Sequence, residues 1–126
     1  MKLTMPFPPA ELNPNRARGL RWWTLGQARK LYRETCGWEA KDQAKGVRLS
    51  PPVLATVTFV VPDHRRRDVD NLLAALKPCW DGLVDAGVLA DDSHDKLRMG
   101  APVVRVEKGQ RYVEIELKEV HDEPSD

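Results

Sequence analysis

Nine consecutive residues, VLATVTFVV at positions 53–61, constrain the fold of this chain most. Six of the nine are β-branched, which suits a pleated, packed strand better than a helix. Ser50-Pro51-Pro52 precede the run and Pro62 follows it. Proline fixes φ and has no N–H to give to a ladder, so the segment between these residues is closed at both ends. It is too short for a long helix, and a strand is predicted over residues 53–61.

The other elements are read outward from this strand. Residues 2–9, KLTMPFPP, become too proline-rich for a central strand after Met5, so a short strand running into a loop is predicted. The loop continues through Asn13-Pro14-Asn15 and Gly19 and carries Arg16, Arg18 and Arg21 beside Trp22 and Trp23. From Thr24, read as an N-cap, to about Lys45, the residues Leu25, Ala28, Leu31, Tyr32 and Trp38 recur mostly at three- and four-residue intervals. That spacing predicts a helix, which Gly37 is placed to interrupt, and at least one of the two tryptophans is expected in the core. A second helix is predicted over residues 68–86, stopped by Gly87, with Leu72, Leu76, Cys79, Trp80 and Leu83 on one buried stripe. After the polar loop Asp91-Asp92-Ser93, residues 96–105 and 110–120 alternate as two antiparallel strands joined near Lys108-Gly109. The expected architecture is an α+β fold: a small single domain, residues 1–121, with a mixed β-sheet packed against two main helices. Residues 122–126 form an acidic tail that is expected to fray.

Composition removes several classes of function. With 126 residues, 41% hydrophobic and 31% charged, the chain has the makeup of a soluble globular domain. No stretch approaches the roughly 20 apolar residues that cross a bilayer, and residues 1–9 lack the apolar centre of a signal peptide, so a cytoplasmic protein with no membrane partner is expected. Cys36 and Cys79 have no CxxC or Cys/His spacing and read as small apolar residues. The net charge of +1 hides a division at Asp68. Residues 1–67 hold thirteen Lys and Arg against five Asp and Glu, and residues 68–126 hold seven against fourteen. Segregation of this kind suits a nucleic-acid partner, since polyphosphate attracts cations while phosphate chemistry on divalent ions needs a separate set of carboxylates. Chance segregation of surface charge gives the same counts.

The densest local feature is RRRDVDN, residues 65–71, where three cations abut two carboxylates at the junction of a loop and a helix. Phosphodiester hydrolysis requires neutralising charge on phosphoryl oxygens and generating a nucleophile at neutral pH, and Mg²⁺ held by carboxylates supplies both. In a continuous helix Asp68 and Asp70 point roughly 200° apart, so they can share an ion only if Asp68 sits at or before the N-cap, where the backbone is extended. The simpler reading makes Asp68 a cap and Asp70 a favourable charge at the positive end of the helix dipole. Along the same predicted helix Asp70, Lys77 and Asp81 fall within about 40° of one another, which places a cation beside the carboxylates. The simpler reading of Lys77 is an exposed i,i+4 partner of Asp81. Asp91-Asp92 can fold back to add a third carboxylate, or form a solvated turn.

The segments PDHRRRDVDNLL and KPCWDGLVDAGVLADDS resemble the RusA family of crossover junction endodeoxyribonucleases. In that family a basic run leads into DxDN, a lysine follows on the helix, and a DD pair closes the motif after a Gly. FPPAELNPN followed by Trp22 is similar to the family's N-terminal loop, and the order of elements agrees over residues 3–118. The resemblance implies Asp68, Asp70 and Asp92 as metal ligands, with Asp91 as a further candidate, and Lys77 as the catalytic cation. It implies a homodimer that uses Mg²⁺, with Mn²⁺ as a substitute, to place paired nicks in opposed strands of four-way (Holliday) junctions. Arg16, Arg18, Arg21, Arg65, Arg66 and Arg67 would hold the DNA backbone without reading bases. One departure concerns the lysine: the family prototype carries it four residues after the second motif aspartate, where this chain has Ala74, and Lys77 follows three residues later. An added helical turn accommodates that shift.

No rival constellation stands out. His64, His94 and His121 lack HExxH or cysteine partners, there is no Gly-x-Ser-x-Gly elbow, and neither GxxxxGK nor GxGxxG occurs, so no nucleotide cofactor is expected. Two other functions fit the same residues: a non-catalytic, structure-selective DNA-binding protein of this fold, and a general flap or fork nuclease.

Overall fold

The computed structural model describes residues 1–121, so the tail expected to fray at 122–126 lies outside the described residues. The chain runs β1 (Lys2–Pro6), a 3₁₀ turn (Ala10–Leu12), α1 (Pro14–Ala17), α2 (Trp22–Ala44) and β2 (Val53–Val61). It continues through α3 (Val69–Ala75), α4 (Lys77–Asp85), β3 (Leu97–Met99), β4 (Val103–Val106) and β5 (Tyr112–Glu119). Among the described residues, no helix is long and apolar enough to cross a membrane.

The predicted strand is the middle of the sheet. β5 pairs antiparallel with β1 on one side and with β2 on the other, while β3 and β4 both pair parallel with the far edge of β2. Register decides which residues become core. Leu3 and Val57 lie on either side of Ile115, and Met5 and Phe59 on either side of Val113. All six are buried, whereas the alternate residues Thr4, Glu114, Glu116, Thr56 and Thr58 are partly or fully exposed, as the two-residue period of a strand requires. One face of a mixed sheet is therefore covered by α2 and α4, which is the expected α+β architecture.

The two helices approach closely because both carry small residues where they cross. A Cβ added to Gly82 of α4 would stand 2.6 Å from the Arg33 carbonyl oxygen and 2.8 Å from the Gly37 nitrogen of α2. Gly37, expected to interrupt the helix, instead lies inside it and forms this crossing. Cys36 and Cys79 are buried side by side at the same contact, free and filling space as small apolar residues. Packing of this kind also sets the phase of α2. Its buried stripe is Tyr32, Cys36, Ala40 and Ala44, while Leu31 and Trp38 face solvent. The expectation of a core tryptophan near the start of α2 is likewise overturned: Trp22 is 80% exposed, and it packs edge-on against Trp23, itself half exposed. The helix starts two residues before the expected Thr24, with Arg21 in extended conformation at its N-cap.

Two further expectations are corrected. The single helix over residues 68–86 is two helices, broken at Leu76. Pro78 has no N–H for the Ala74 carbonyl and its ring would crowd that oxygen in a continuous helix. The chain answers by tightening, with the Cys79 N–H donating to the Leu76 oxygen at 2.8 Å, and restarts with Lys77 as the first residue of α4. The stripe from Leu72 to Leu83 is buried throughout, and Gly87 ends α4 at φ 79°. The second correction concerns residues 96–120, which form no hairpin. β4 and β5 lie on opposite sides of β2, and the turn between them crosses the end of β2, where the Glu107 N–H donates to the Val61 oxygen at 2.9 Å. Gly100 and Pro102 divide the preceding strand into β3 and β4.

Candidate functional site

β2 delivers the chain into residues 62–67, a loop organised by its own side chains. The Asp63 carboxylate accepts the Arg65 N–H at 3.0 Å and Arg67 Nη2 at 2.9 Å. Arg67 Nη1 donates to the carbonyl oxygens of Asp63 and Arg65 at 3.0 and 2.8 Å. Arg67 is thus an internal staple with only 15% of its side chain exposed, while Arg65 reaches solvent at 77%. The backbone N–H of Arg65, followed by the Arg67 guanidinium, holds the Asp63 carboxyl below the usual carboxylate range.

Asp68 follows as the N-cap of α3, with extended backbone (φ −88°, ψ 110°) and its carboxylate accepting the Asn71 N–H at 3.3 Å. The extended geometry that sharing an ion with Asp70 would require is therefore present at Asp68, together with the capping role of the simpler reading. Asp70 stands exposed in the first turn of α3. Asp68 borders a cleft of about 460 Å³ whose rim carries Arg16, Arg65, Arg66 and Arg111.

Lys77 projects from the first residue of α4, 61% exposed, with Nζ 3.3 Å from Asp81 Oδ1 and 2.5 Å from Asp92 Oδ2. The break at Leu76 puts Asp70 on α3 and Lys77 with Asp81 on α4, so the three do not lie on the one continuous helix that was expected to give them a shared face. The added turn inferred from the displaced lysine is likewise a restart of the helix at Lys77 and not an extension of α3. The two acidic residues of the loop divide their work. Asp91 Oδ1 accepts the N–H groups of Asp92 and Ser93 at 2.7 and 3.2 Å and so shapes the turn, while Asp92 points its carboxylate at Lys77. The Lys77 bond is the first cause of the depressed Asp92 carboxyl, and the Asp92 bond is the first cause of the raised Lys77 ammonium. Among the described residues, no three of His, Cys, Asp and Glu come close enough together to hold a metal ion.

The basic residues of the N-terminal half divide between two clefts. Arg16 on α1 faces the Asp68 cleft, and Arg18, one residue past α1, faces a larger one of about 680 Å³ beside Lys77. Arg21 joins neither and stacks over the Trp23 ring at 5.1 Å. The larger cleft also takes Arg29, Lys30 and Arg33 from α2, and the other takes Arg111, which rests on Phe7 at 5.3 Å. The sequence reading assigned none of these four residues a role. The i,i+4 spacing of Arg29 and Arg33 is the signal that places them on one face of α2.

The chain is similar to several curated proteins named crossover junction endodeoxyribonuclease RusA. It is 34% identical over 94 residues to the one from Enterobacteria phage 82, covering 72% of each chain. It is 31% identical over 91 residues to the one from Escherichia coli strain K12, again covering 72% of each. The relative from Aquifex aeolicus is 32% identical over 81 residues, a match covering 64% of this chain and 60% of the relative's length. No family model matches the chain.

Proposed function

From its place in the RusA family of crossover junction endodeoxyribonucleases, to which this chain belongs, we propose that it nicks four-way DNA junctions in paired, opposed strands. The observation that carries this reading is the arrangement around α3, where the Asp68 carboxylate borders one cationic cleft and the Lys77 ammonium borders another. An anionic backbone drawn into either cleft meets a group suited to phosphate chemistry.

Carboxylate oxygens with no cysteine or imidazole among them are hard donors of the kind Mg²⁺ takes, with Mn²⁺ as a substitute. As they stand, Asp68, Asp70 and Asp92 do not converge, and Asp92 is paired with Lys77. Mg²⁺ needs only one or two carboxylates when water and substrate phosphate fill the remaining positions, so the donor set fits an ion completed by DNA. Asp68, Asp70 and Asp92 are the candidates, of which one or two would hold it as the side chains stand, with Asp91 shaping the turn that carries Asp92. Bound there, the ion supplies charge neutralisation at the phosphate and a more acidic water. Lys77, an ammonium at neutral pH as lysines ordinarily are, offers a compact cation to the phosphoryl oxygens at the moment charge accumulates. Arg65, Arg66, Arg16 and Arg18 hold the backbone, and Arg67 acts through the shape of the loop that presents its neighbours. A four-way junction is approximately two-fold symmetric, so a symmetric homodimer with one site per subunit matches it.

The test is cleavage of a four-way junction, a fork and a linear duplex of matched sequence, with Mg²⁺ and with chelator. The expected result is paired nicks in the junction alone, abolished by chelation. Equal cutting of the fork would make the chain a general branched-DNA nuclease, and binding without cutting in any divalent ion would make it a non-catalytic junction binder.

A further inference from the structure

The cleft beside Lys77 is walled by α2, by the segment from the 3₁₀ turn through α1, and by the junction of α3 with α4. Its apolar lining is Leu12, Pro14, Ala17, Ala74 and Pro78. Five cations, Arg18, Arg29, Lys30, Arg33 and Lys77, meet one carboxylate, Asp81. Two of the five are already committed. Arg33 makes a two-pronged bond to Asp85, with Nε–Oδ2 at 2.7 Å and Nη2–Oδ1 at 2.8 Å, and Lys77 is held by Asp81 and Asp92. Arg18, Arg29 and Lys30 are exposed and make no ion pair among the described residues. Unneutralised cations along a concave, low-dielectric wall concentrate anions there. No aromatic side chain lines this cleft, so it offers nothing for bases to stack on and suits a sugar-phosphate backbone.

This cleft is separate from the one that holds Asp68. The two share no lining residue, and the α1 turn gives Arg16 to one and Arg18 to the other. We propose that the α2 wall of this cleft is a second backbone track, taken by a DNA arm other than the one whose scissile phosphate meets Asp68 and Lys77. Arg29 and Lys30 are its principal phosphate contacts, and they distinguish branched from linear DNA. The inference rests on the reading of the chain as a junction nuclease, and it assigns a part of the substrate to residues outside the proposed chemistry.

The test is equilibrium binding of the full chain, in chelator so that nothing is cut, to a four-way junction and to a linear duplex with the same arm sequence over a series of salt concentrations. Each phosphate contact contributes about 0.9 to the slope of log affinity against log salt. The double variant Arg29→Ala, Lys30→Ala is expected to flatten the junction slope by about 2, to leave the duplex slope unchanged, and so to erode the preference for junctions. Arg29→Lys should keep the wild-type slope, because the contact is to charge, and Lys108→Ala, on the β4–β5 turn and lining neither cleft, should change neither substrate. The side chains of Arg29 and Lys30 are exposed, and thermal unfolding of each variant checks that the fold is kept. An unchanged junction slope in the double variant overturns the proposal, as does an equal loss for duplex and junction. Failure of the underlying reading shows separately, as a wild-type protein with no preference for junctions.

Discussion

At the residue scale the centre of the site is Lys77, which gathers Asp81 and Asp92 across fifteen residues of sequence. Its pair with Asp92 is partly exposed, so its worth to stability is small, ~0–1 kcal/mol. If Lys77 instead serves the phosphate, Lys77→Ala should leave urea denaturation nearly unchanged while lowering single-turnover cleavage at saturating enzyme on the order of 100-fold. A near-wild-type rate in that experiment removes Lys77 from the chemistry. Asp70→Asn should stop cutting and leave junction binding intact or tighter, because one negative charge beside the phosphate is lost. Asp63 is the residue whose titration should be visible. Its carboxyl is held below the ordinary value, so the ordering it gives the loop is present above the unfolded-state pKa and is lost as pH falls through the lower folded value. Hydrogen exchange at the Arg65 amide, its bonding partner, should therefore stay protected through neutral and mildly acid pH, and Asp63→Ala should remove that protection at neutral pH.

At the scale of elements, the contact of α2 with α4 fixes the orientation of everything that α4 carries, Lys77 included. Gly82 allows that contact, because a Cβ there would meet the backbone of Arg33 and Gly37, which cannot swing aside as a side chain can. Gly82→Ala is expected to destabilise the fold by ~1–3 kcal/mol, seen as a lower denaturation midpoint with an unchanged slope. Gly26→Ala, on the same helix as Gly37 but with nothing within 4 Å of the added Cβ, should be neutral or slightly stabilising. The Arg33–Asp85 pair joins the same two helices at their exposed edge, and its short two-pronged geometry orients Arg33 along the second cleft. The break at Leu76 also decides where Lys77 lies. By restarting the helix it makes Lys77 the first residue of α4, on the side that the Asp91-Asp92 turn reaches.

For the whole molecule, the proposals concern symmetry and charge. A homodimer predicts sedimentation at twice the 14.3 kDa chain mass. The two basic clefts predict two separable sets of salt-dependent contacts. Arg65→Ala with Arg66→Ala should flatten the salt dependence for linear duplex and junction alike, in contrast with the residues of α2. Arg67→Ala should act differently from its two neighbours, loosening the loop by removing its bonds to Asp63 and Arg65.

The amino-acid sequence by itself determined those features that depend on a residue and its near neighbours. β2 is legible between its prolines, the stripe from Leu72 to Leu83 in its spacing, the N-cap at Asp68 in the residue type before a helical pattern, and the end of α4 in Gly87. The break at Leu76 was legible too, in Pro78, and the strength of the apolar periodicity across it masked that signal. Only the tertiary structure decided the features that depend on which element lies beside which. The outward tryptophans and the Tyr32 to Ala44 stripe follow from a helix crossing that requires Gly82 against Gly37, forty-five positions apart in the chain. The placement of β4 and β5 on opposite sides of β2 follows from competition for the two edges of one strand, which alternation in each segment cannot express. The pairing of Lys77 with Asp92, and the gathering of Arg18, Arg29 and Lys30 into one cleft, arise the same way. Periodicity specifies which face of an element is apolar, but the neighbours of its polar face are set by packing geometry between elements, and that geometry exists only in the folded chain.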